Sequence, residues 1–533
     1  MTNDDRSVPY PDELAASYLA SGLWERHTIA EQFSRVAGRF PHRPAVDTPQ
    51  GSISYAELEL RSDQLAAGLL ATGVPAGGAV ILQAGNSIAT VVTWYGLLKA
   101  GLRPVCTLLQ HRHEVIQSIA ARTGAIGHVI PGRHDEFDYV EFAAQVQAAV
   151  PTLVYTWMLE QPTDGEGVCL AGLGPPLGAR EARAAVADVQ ARLGPTDIAV
   201  FQLSGGTTGL PKIIPRLQAE YWYNSAAYAE RLGWSELERA AHLLPLVHNA
   251  GIVCGLHAVH SVGGCLVLAE VNPVDDPERT TELVVELRVT STVIGPPAFG
   301  WVTRDEFLKV AGTLRQVVLS GGKVPRPVFD RLTDLGIWAG QLFGMGEGLC
   351  TVTPVDAPAE RRARTVGTAL SPLDEIRVLV PDTEDEVEPG VAGELCCRGP
   401  YTLRGYFDAP DHNQRAFTSS GFYRTGDLAR LDVDADGNWL SIEGRIQDGS
   451  RHDSALELES LLGSHSAIEQ AAVVGTRAYL VAVHAQLSFG AVCEHLDRLG
   501  VADDRWPAQV IWIGRLPLTA VGKIDRQALH DRS

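Results

Sequence analysis

The feature that most constrains the fold is a repeated alternation of short apolar runs with segments of helical periodicity. Ala79–Gln83 is a largely apolar run of strand type, and Ile88–Lys99 follows it with apolar residues at helical spacing. Similar apolar runs, separated by helical segments, recur at residues 198–203, 265–269, 293–294 and 316–319. Strands that alternate with helices are typical of parallel sheets covered by helices on both faces. The sequence therefore predicts an α/β fold.

The length of 533 residues exceeds what one hydrophobic core usually organises, so more than one domain is expected. Residues 393–399 and 440–444 change character and indicate antiparallel strands around turns such as Asp436-Gly437. A third unit with its own alternating pattern runs from about residue 447 to the end. We predict a large N-terminal domain, 1–446, of αβ-layered sheets with a small β-barrel-like subdomain, and a small α+β C-terminal domain, 447–533.

The charge balance excludes some classes of partner. Lys and Arg number 44 against 64 Asp and Glu, which gives a formal charge of −20 at pH 7. Nucleic acids and anionic membranes are bound by basic surfaces, so neither is expected as a partner. A nucleotide is not excluded, because one pocket can be locally positive in an acidic protein.

Targeting and redox signals point to a cytoplasmic protein. The opening MTNDDRSVPY lacks the basic start and apolar stretch of a secretory signal. Residues 243–269 contain no Asp, Glu, Lys or Arg, but Asn249, three histidines and several glycines favour a buried strand, loop and helix over a membrane span. The eight cysteines are scattered without a CxxC pair, so the spacing indicates neither a zinc site nor a disulfide framework.

A glycine-rich segment after the apolar run at 198–203 is the strongest local signal of function. Its candidate phosphate ligands are Ser204, Gly205, Gly206, Thr207, Thr208, Gly209 and Lys212. Glycines permit close backbone approach, hydroxyls donate hydrogen bonds, and the lysine adds a cation, which together suit a polyphosphate. The P-loop pattern is not satisfied, because Leu210-Pro211 separates Gly209 from Lys212. The alternative is a flexible surface loop, which the preceding strand and the Pro-Lys pair disfavour.

The glycine-rich segment is the first of several motifs that occur along the chain in a fixed order. They are LSGGTTGLPKIIPR (203–216), HNAG (248–251), GPP (295–297), SGGK (320–323), FGMGEGL (343–349), GELCCRGPYTLRGYF (393–407), GFYRTGDL (421–428), IEGR (442–445) and PLTAVGKIDR (517–526). The series resembles the adenylate-forming superfamily of acyl-CoA synthetases, peptide-synthetase adenylation domains and luciferases. Within it, the chain is most similar to the stand-alone aryl-acid AMP ligases, which activate 2,3-dihydroxybenzoate or salicylate for siderophores. The resemblance implies that a carboxylic acid and Mg-ATP become an acyl-adenylate and pyrophosphate, with a mobile C-terminal domain.

The resemblance also implies nucleotide-binding roles for individual residues. The segment 204–212 would embrace the β- and γ-phosphates, and Gly322, Gly344 and Met345 would lie along the nucleotide. Asp427 matches the residue that accepts hydrogen bonds from both ribose hydroxyls, a geometry that suits a carboxylate. Arg445 matches the neighbouring ribose and phosphate contact. The plainer alternatives are a turn-capping aspartate and a surface arginine.

The resemblance implies roles in metal binding and catalysis for four residues. Glu347 matches the magnesium ligand, and a carboxylate is a suitable hard-oxygen donor. Lys523 matches the C-terminal lysine that reaches the substrate carboxylate and the α-phosphate. Lys212 and His248 complete the predicted catalytic set. Outside this motif context, Glu347 and Lys523 would more often be solvated surface residues.

The predicted pocket for the acid comprises His248, Asn249, Ala250, Cys254, Lys323 and Cys350. By resemblance, Asn249 donates towards the ortho-hydroxyl and carboxylate side of the ring, and His248 flanks the ring. Cys254 stands where dihydroxybenzoate enzymes typically have serine, and an unpaired second hydroxyl would cost roughly 1–3 kcal/mol, which favours salicylate or a related ortho-substituted ring. Ala250, Lys323 and Cys350 depart from the usual residues and leave room for a larger or amino-bearing acid.

The resemblance fails after Arg445. Residues 446–459 are shorter than in the family and lack its RGGEK-like loop, and Gln447 stands at the hinge position. That loop serves transfer of the acyl group to the thiol of a carrier protein or CoA, so this second step is predicted to be weakened, altered or absent. A shorter loop with the same role, direct use of the AMP ester for amide, ester or nitrogen–nitrogen bond formation, and a non-catalytic homologue are the alternatives.

Overall fold

The computed structural model describes residues 6–134, 137–160, 168–173, 177–204, 210–434, 437–446, 458–459, 461–463, 465, 467–483, 485–499, 501–518 and 524–530. The strands of these residues, in chain order, are β1 (Pro44–Thr48), β2 (Gly51–Ser54), β3 (Ala79–Gln83), β4 (Arg103–Thr107), β5 (Gly127–Ile130), β6 (Arg133–His134), β7 (Phe137–Asp138), β8 (Tyr155–Met158), β9 (Ile198–Leu203), β10 (Ile213–Leu217), β11 (Arg239–His242), β12 (Cys265–Leu268), β13 (Ser291–Ile294), β14 (Gln316–Ser320), β15 (Trp338–Gly344), β16 (Cys350–Val352), β17 (Thr368–Ala369), β18 (Glu375–Leu379), β19 (Gly393–Arg398), β20 (Tyr423–Asp434), β21 (Gly437–Arg445), β22 (Ile468–Val474), β23 (Arg477–Ala482) and β24 (Gln509–Trp512).

The α-helices alternate with these strands through most of the N-terminal part. In chain order they are α1 (Asp12–Ala20), α2 (Ile29–Arg39), α3 (Tyr55–Ala71), α4 (Ile88–Lys99), α5 (His113–Thr123), α6 (Tyr139–Ala149), α7 (Ala179–Gln190), α8 (Gln218–Arg231), α9 (His257–Ser261), α10 (Pro277–Glu286), α11 (Phe299–Thr303), α12 (Arg326–Asp334), α13 (Ala359–Arg364), α14 (Pro410–Ala416), α15 (Phe489–Arg498) and α16 (Arg526–His530). A π-helical segment, Gly251–Leu256, precedes α9. Short 3₁₀ segments lie at Leu170–Gly172, Pro296–Ala298, Asp305–Gly312 and Asp503–Arg505.

Two large sheets form the N-terminal domain. In the described part of the chain, one has nine strands in the order β17-β16-β15-β14-β13-β11-β12-β1-β2, and the other has six in the order β10-β9-β4-β3-β5-β8. Strands β12, β11, β13, β14 and β15 run parallel to one another, as do β4, β3, β5 and β8 in the second sheet. The predicted α/β class is therefore confirmed. Antiparallel pairs are confined to the sheet margins, β15–β16–β17, β1–β2 and β9–β10.

The largest hydrophobic core lies between elements of both sheets and the helices that cover them. Helices α3, α4 and α8 contribute buried side chains such as Leu58, Trp94 and Tyr221, and the strands add residues such as Val80 and Leu266. Buried apolar surface contributes about 25 cal/mol per Å², so the shared core stabilises the two sheets as one layered body. Because the two sheets share this core, the loops that leave them keep fixed positions relative to one another.

Smaller sheets follow along the chain. Strands β18–β21 form an antiparallel sheet, which is the small β-rich unit predicted after the parallel strands. In the C-terminal domain, β22 and β23 pair antiparallel and β24 joins β23 in parallel, with α15 in the intervening chain. Its core includes Leu462, Leu480 and Leu496. The predicted boundary at 446/447 falls where residues 447–457 lie outside the described part, so the exact division remains a prediction.

The segment 243–269, considered above as a span, adopts the predicted buried core structure. It connects β11 to β12 through the π-helical segment and α9. Among the described residues, no helix combines the length and apolar character required to cross a bilayer.

Candidate active site

The predicted site residues meet at one edge of the nine-stranded sheet. Strands β11, β13, β14 and β15 are parallel neighbours, so the segments after His242, Ile294, Ser320 and Gly344 leave the same edge. The carboxyl ends of parallel strands are where ligands bind in open α/β sheets. A cleft of about 4100 Å³ opens there.

The cleft gathers every predicted site residue that the structure describes. These are Ser204, Lys212, His248, Asn249, Ala250, Cys254, Gly322, Lys323, Gly344, Met345, Glu347, Cys350, Asp427 and Arg445. Gly205, Gly206, Thr207, Thr208, Gly209 and Lys523 lie outside the described residues and stay predictions. Leu518 and Ile524, on either side of the Lys523 segment, line the same cleft.

The two ends of the glycine-rich segment are fixed against each other. Strands β9 and β10 pair antiparallel, with Ile213 opposite Leu203. Ser204 donates its backbone N–H to the Lys212 carbonyl at 3.0 Å, and the Lys212 N–H donates to Ser204 Oγ at 3.0 Å. The segment between them therefore starts and ends at one point of the cleft wall, as a phosphate-binding loop requires.

The Lys212 ammonium lies in a partly buried polar cluster. Its Nζ is 3.3 Å from His412 Nε2 and 4.7 Å from the centre of the Tyr406 ring. Burial lowers the pKa of Lys212; Glu347 acts against that shift, and Arg445 reinforces it. Burial also lowers the pKa of His412, with Lys212 as the next cause. A neutral imidazole can accept a hydrogen bond from the ammonium, so the pair is mutually consistent.

Glu347 is oriented by two tyrosines. The Tyr406 hydroxyl donates to Glu347 Oε1 at 2.6 Å and lies 2.7 Å from the Tyr423 hydroxyl. Burial and the neighbouring Glu347 charge raise the pKa of Tyr406, so it remains a donor. Gly348 has φ +126°, and a Cβ there would lie 1.7 Å from the Tyr401 carbonyl oxygen, so the turn after Glu347 requires glycine.

Asp427 and Arg445 face each other across β20 and β21. They are register partners, and Arg445 Nε lies 3.0 Å from Asp427 Oδ1. Arg445 Nη1 also donates to the Thr425 carbonyl at 3.0 Å, and the Asp427 N–H donates to Thr425 Oγ1 at 3.0 Å. The pair places a carboxylate and a guanidinium at the cleft, the groups predicted to contact the ribose and phosphate.

On the opposite side of the cleft, Asn249 is held by a buried arginine that the sequence prediction did not assign. Arg216 Nη1 donates to Asn249 Oδ1 at 3.0 Å and to the Gly346 carbonyl at 3.1 Å. The Tyr221 hydroxyl donates to the same Asn249 oxygen at 3.1 Å. Arg216 therefore connects the residue predicted to contact the acid with the segment that carries Glu347.

The charge of Arg216 is balanced within the protein. The side chain is 1% exposed and forms a two-point ion pair with Glu220, with Nε to Oε1 at 2.9 Å and Nη2 to Oε2 at 2.7 Å. Glu220 Oε1 also accepts the Leu217 N–H at 2.7 Å at the start of α8. The network thus fixes geometry at the cleft without adding net charge.

Among the remaining predicted acid-pocket residues, Cys254 and Cys350 form an apolar end of the cleft. Cys254 lies in the π-helical segment and Cys350 begins β16, and both are buried with free thiols. A hydrogen bond with Cys350 is the largest cause of a raised pKa for Cys254, followed by burial. His248 Nδ1 accepts the Ala250 N–H at 3.3 Å, and Lys323 is exposed on the cleft rim.

The residues that sequence reasoning missed are Arg216, Tyr221, Tyr406 and His412. One signal was available: Arg216 and Glu220 are spaced i, i+4 where β10 passes into α8, and Arg216 closes the quoted motif at 203–216. Tyr406 lies within another quoted motif. His412 carries no local pattern, and its approach to Lys212 spans 200 residues.

Comparison with known proteins agrees with this geometry. The sequence profile of the AMP-binding enzyme family matches residues 33–407. A salicyl-AMP ligase / salicyl-S-ArCP synthetase of Mycobacterium tuberculosis is 36% identical over 548 residues, covering 98% of this chain and 94% of that protein. The vibriobactin-specific 2,3-dihydroxybenzoate-AMP ligase of Vibrio cholerae is 33% identical over 552 residues, covering 100% and 98%.

A solved structure is similar to this one over almost the whole chain. The Mycobacterium smegmatis MbtA apo structure superposes with a TM-score of 0.72 at 30% identity, covering 99% of each chain. The family profile spans more than half of the chain, and the relatives match it almost end to end. The chain therefore belongs to the AMP-binding enzyme family, as a ligase of its aryl-acid AMP ligase branch.

Proposed function

We propose that the chain uses ATP to activate an aryl carboxylic acid, a salicylate-like or other ortho-substituted benzoate, to an aryl-AMP ester. The observation that carries the proposal is that one buried guanidinium, Arg216, is bonded to Asn249 and to the backbone of the Glu347 segment. A donor for the acid and a candidate metal carboxylate are thereby held in fixed relation within one cleft. The resemblance to salicyl-AMP and 2,3-dihydroxybenzoate-AMP ligases supports the same assignment.

The chemistry requires positioning rather than a protein nucleophile. A carboxylate oxygen of the acid attacks the α-phosphorus, the bond from that phosphorus to the bridging oxygen breaks, and pyrophosphate leaves with the electron pair. No proton transfer is needed in this step. Holding the reactants in line and stabilising charge on the phosphate oxygens are therefore the main tasks of the protein.

Each side of the cleft suits one of these tasks. Lys212 and the segment 204–212 bind the β- and γ-phosphates. Burial lowers the pKa of Lys212 in the free protein, and the negative charge of bound phosphates raises it again, so the ammonium stays protonated. Asp427 and Arg445 hold the ribose side. Lys523 reaches the substrate carboxylate and the α-phosphate, where positive charge favours the transition state.

Glu347 would hold the Mg²⁺ of Mg-ATP, where the cation would balance phosphate charge. Glu347 fits this role because Tyr406 bonds its Oε1, which leaves the other carboxylate oxygen for a hard cation. Mg²⁺ at nucleotide sites usually takes one or two protein carboxylates along with phosphate oxygens. Within the described residues no cluster of three or more His, Cys, Asp or Glu could hold a metal.

The identity of the acid is narrowed by the apolar end of the cleft. Asn249 offers its amide N–H to an ortho substituent, while Cys254 offers no strong hydrogen-bond partner for a further hydroxyl next to it. We therefore assign salicylate-like acids first. A role in siderophore or other natural-product biosynthesis follows from the same class of substrate.

The acceptor of the acyl group is a carrier-protein or CoA thiol in the first version of the proposal. The shortened segment 446–459 favours a second version, in which the AMP ester reacts directly with an amine, an alcohol or a nitrogen nucleophile. A non-catalytic homologue is disfavoured, because Lys212, Glu347, Asp427 and Arg445 all line one cleft.

ATP–pyrophosphate exchange over benzoate, salicylate, dihydroxybenzoates, anthranilates and hydroxypicolinates tests the proposal. Exchange that depends on an ortho-substituted aryl acid is the expected result, and absence of exchange with every aryl acid would refute it. Single-turnover assays with a carrier protein, CoA or amines then separate the two acceptor versions. Efficient thioester formation would exclude the version without a thiol acceptor.

A further inference from the structure

One guanidinium orients two carboxamides at the cleft. Arg216 Nη1 donates to Asn249 Oδ1 at 3.0 Å, and Nη2 donates to Asn224 Oδ1 at 3.3 Å. Arginine has only donors, so the oxygen of each amide must face it, and this fixes which end of each amide is the nitrogen. Both –NH₂ groups therefore point away from Arg216, and both residues line the cleft.

The amide nitrogen of Asn224 has no hydrogen-bond partner among the described residues. The residue is 1% exposed. Buried polar groups are nearly always hydrogen-bonded, and an unsatisfied one demands an explanation. Asn249 differs, because its nitrogen lies 3.5 Å from the Met345 carbonyl. Of the two amide nitrogens, that of Asn224 is therefore the one left without a hydrogen-bond acceptor among the described residues.

The position of Asn224 places this donor beside the acid pocket. Helix α8 packs against the π-helical segment that carries Cys254 and against β16, which begins with Cys350. Tyr228 lies one turn further along the same face of α8, and its buried hydroxyl also lacks a partner in the described part of the chain. Two unsatisfied polar groups on one helix face thus adjoin the otherwise apolar end of the cleft.

We propose that Asn224 is a specificity residue that donates a hydrogen bond to a second acceptor on the ring of the acid. The acceptor is a ring nitrogen, an ether or carbonyl oxygen, or a hydroxyl oxygen, in addition to the group that Asn249 contacts. The inference rests on the proposed function and narrows its substrate class to ortho-substituted aryl acids with a further acceptor. Salicylate alone leaves the Asn224 amide unsatisfied.

A matched set of acids tests the proposal by ATP–pyrophosphate exchange. Hydroxypyridinecarboxylic acids keep the shape of salicylate with one ring CH replaced by an acceptor nitrogen, and methoxysalicylates add an acceptor oxygen. Aminosalicylates add a donor instead. The quantity measured is the ratio of kcat/KM for each acid to kcat/KM for salicylate. This ratio does not depend on how much of a variant is folded.

The wild-type ratio is expected to exceed one by roughly 5- to 150-fold for at least one acceptor-bearing acid. Asn224→Ala is expected to bring that ratio close to one. Asn224→Asp keeps an oxygen for Arg216 but removes the donor, so the preference should move towards an aminosalicylate. Ser225→Ala is the matched control, because Ser225 lies next in α8 and, among the described residues, its hydroxyl bonds the Tyr221 carbonyl of the same helix.

The outcomes separate this inference from the proposed function. Wild-type exchange with salicylate but no preference for any acceptor-bearing acid would overturn the role of Asn224 and leave the proposed function intact. A preference that survives in both Asn224 variants would do the same. Absence of exchange with every acid would overturn both. A purely structural Asn224 predicts that Asn224→Asp, which retains the contact with Arg216, leaves all ratios unchanged.

Discussion

Replacement of Arg216 by methionine tests the hydrogen bonds that connect Asn249 with the Glu347 segment through Arg216. All five N–H donors of this side chain are engaged, two with Glu220, two with Asn249 and the Gly346 carbonyl, and one with Asn224. Arg216→Met leaves the Glu220 carboxylate, 4% exposed, with only the Leu217 N–H as a described partner. Breaking a buried ion pair in this way costs about 3–5 kcal/mol of unfolding free energy.

The double variant Arg216→Met, Glu220→Gln separates stability from positioning. Neutralising the orphaned carboxylate removes the uncompensated buried charge, so most of the lost unfolding free energy is expected to return. Activity is not expected to return, because the Asn249 oxygen has lost its charged donor and keeps the weaker hydrogen bond from the Tyr221 hydroxyl. A hydrogen bond from a charged group contributes about 1.5–3 kcal/mol, which corresponds to a loss of roughly 10- to 150-fold in kcat/KM for the acid.

Two measurements decide the outcome. Urea unfolding followed by tryptophan fluorescence gives the change in stability, and ATP–pyrophosphate exchange at varied acid concentration gives kcat/KM. The reasoning predicts that the single variant is unstable and impaired and that the double variant is stable and impaired. A double variant with wild-type kcat/KM for the acid would show that Arg216 is only a structural ion-pair partner.

Three further predictions each concern a single residue. His412→Ala should raise the KM for ATP roughly fivefold, the equivalent of about 1 kcal/mol, because His412 Nε2 lies 3.3 Å from Lys212 Nζ; an unchanged KM for ATP beside an altered KM for the acid would contradict it. Lys523→Ala should slow pyrophosphate exchange by about 10²- to 10³-fold, the loss expected from removing one charge-stabilising donor, and exchange at the wild-type rate would refute the assigned role. Burial raises the pKa of Asp374 from 3.8 to about 7, so its contribution to stability is full below pH 3.8 and is lost as the pH rises through 7, by about 4 kcal/mol at most. Asp374→Asn should therefore flatten the dependence of the urea midpoint on pH between 3.8 and about 7, and an unchanged profile would refute that pKa shift.

The fold was predictable where a periodicity implied a buried face. The apolar runs at Ala79–Gln83 and Ile198–Leu203 are interior strands of the six-stranded sheet, because a strand covered by helices on both sides has no polar face to alternate with. The small antiparallel sheet was predictable from turn residues and alternation. The order of strands in each sheet was not, because pairing such as β11 with both β12 and β13 depends on contacts between segments that are distant in sequence.

The site residues that lie in short sequence motifs were predictable. The contacts between residues that are distant in sequence were not. The motifs led directly to Lys212, Glu347, Asp427 and Arg445, which line one cleft. The hydrogen bonds from Arg216 to Asn249 and Gly346 span 33 and 130 residues, and no local pattern encodes them. Asn224 is similar, since its importance lies in a donor left without a partner, which only packing can reveal.

Binding of a polyanion by a chain with a formal charge of −20 is explained by the same local assembly. At physiological ionic strength, charges more than about 8 Å away are largely screened, so acidic residues on distant surfaces oppose ATP only weakly. Within the cleft, the Glu220 carboxylate balances the charge of Arg216 in a buried two-point ion pair, whereas Lys212 bonds an imidazole, and the nearby Glu347 charge opposes the effect of burial on the Lys212 pKa. The two cations, Arg216 and Lys212, therefore have different predicted roles. Arg216 fixes the two amides that are predicted to face the acid, and Lys212 is predicted to supply positive charge to the phosphates.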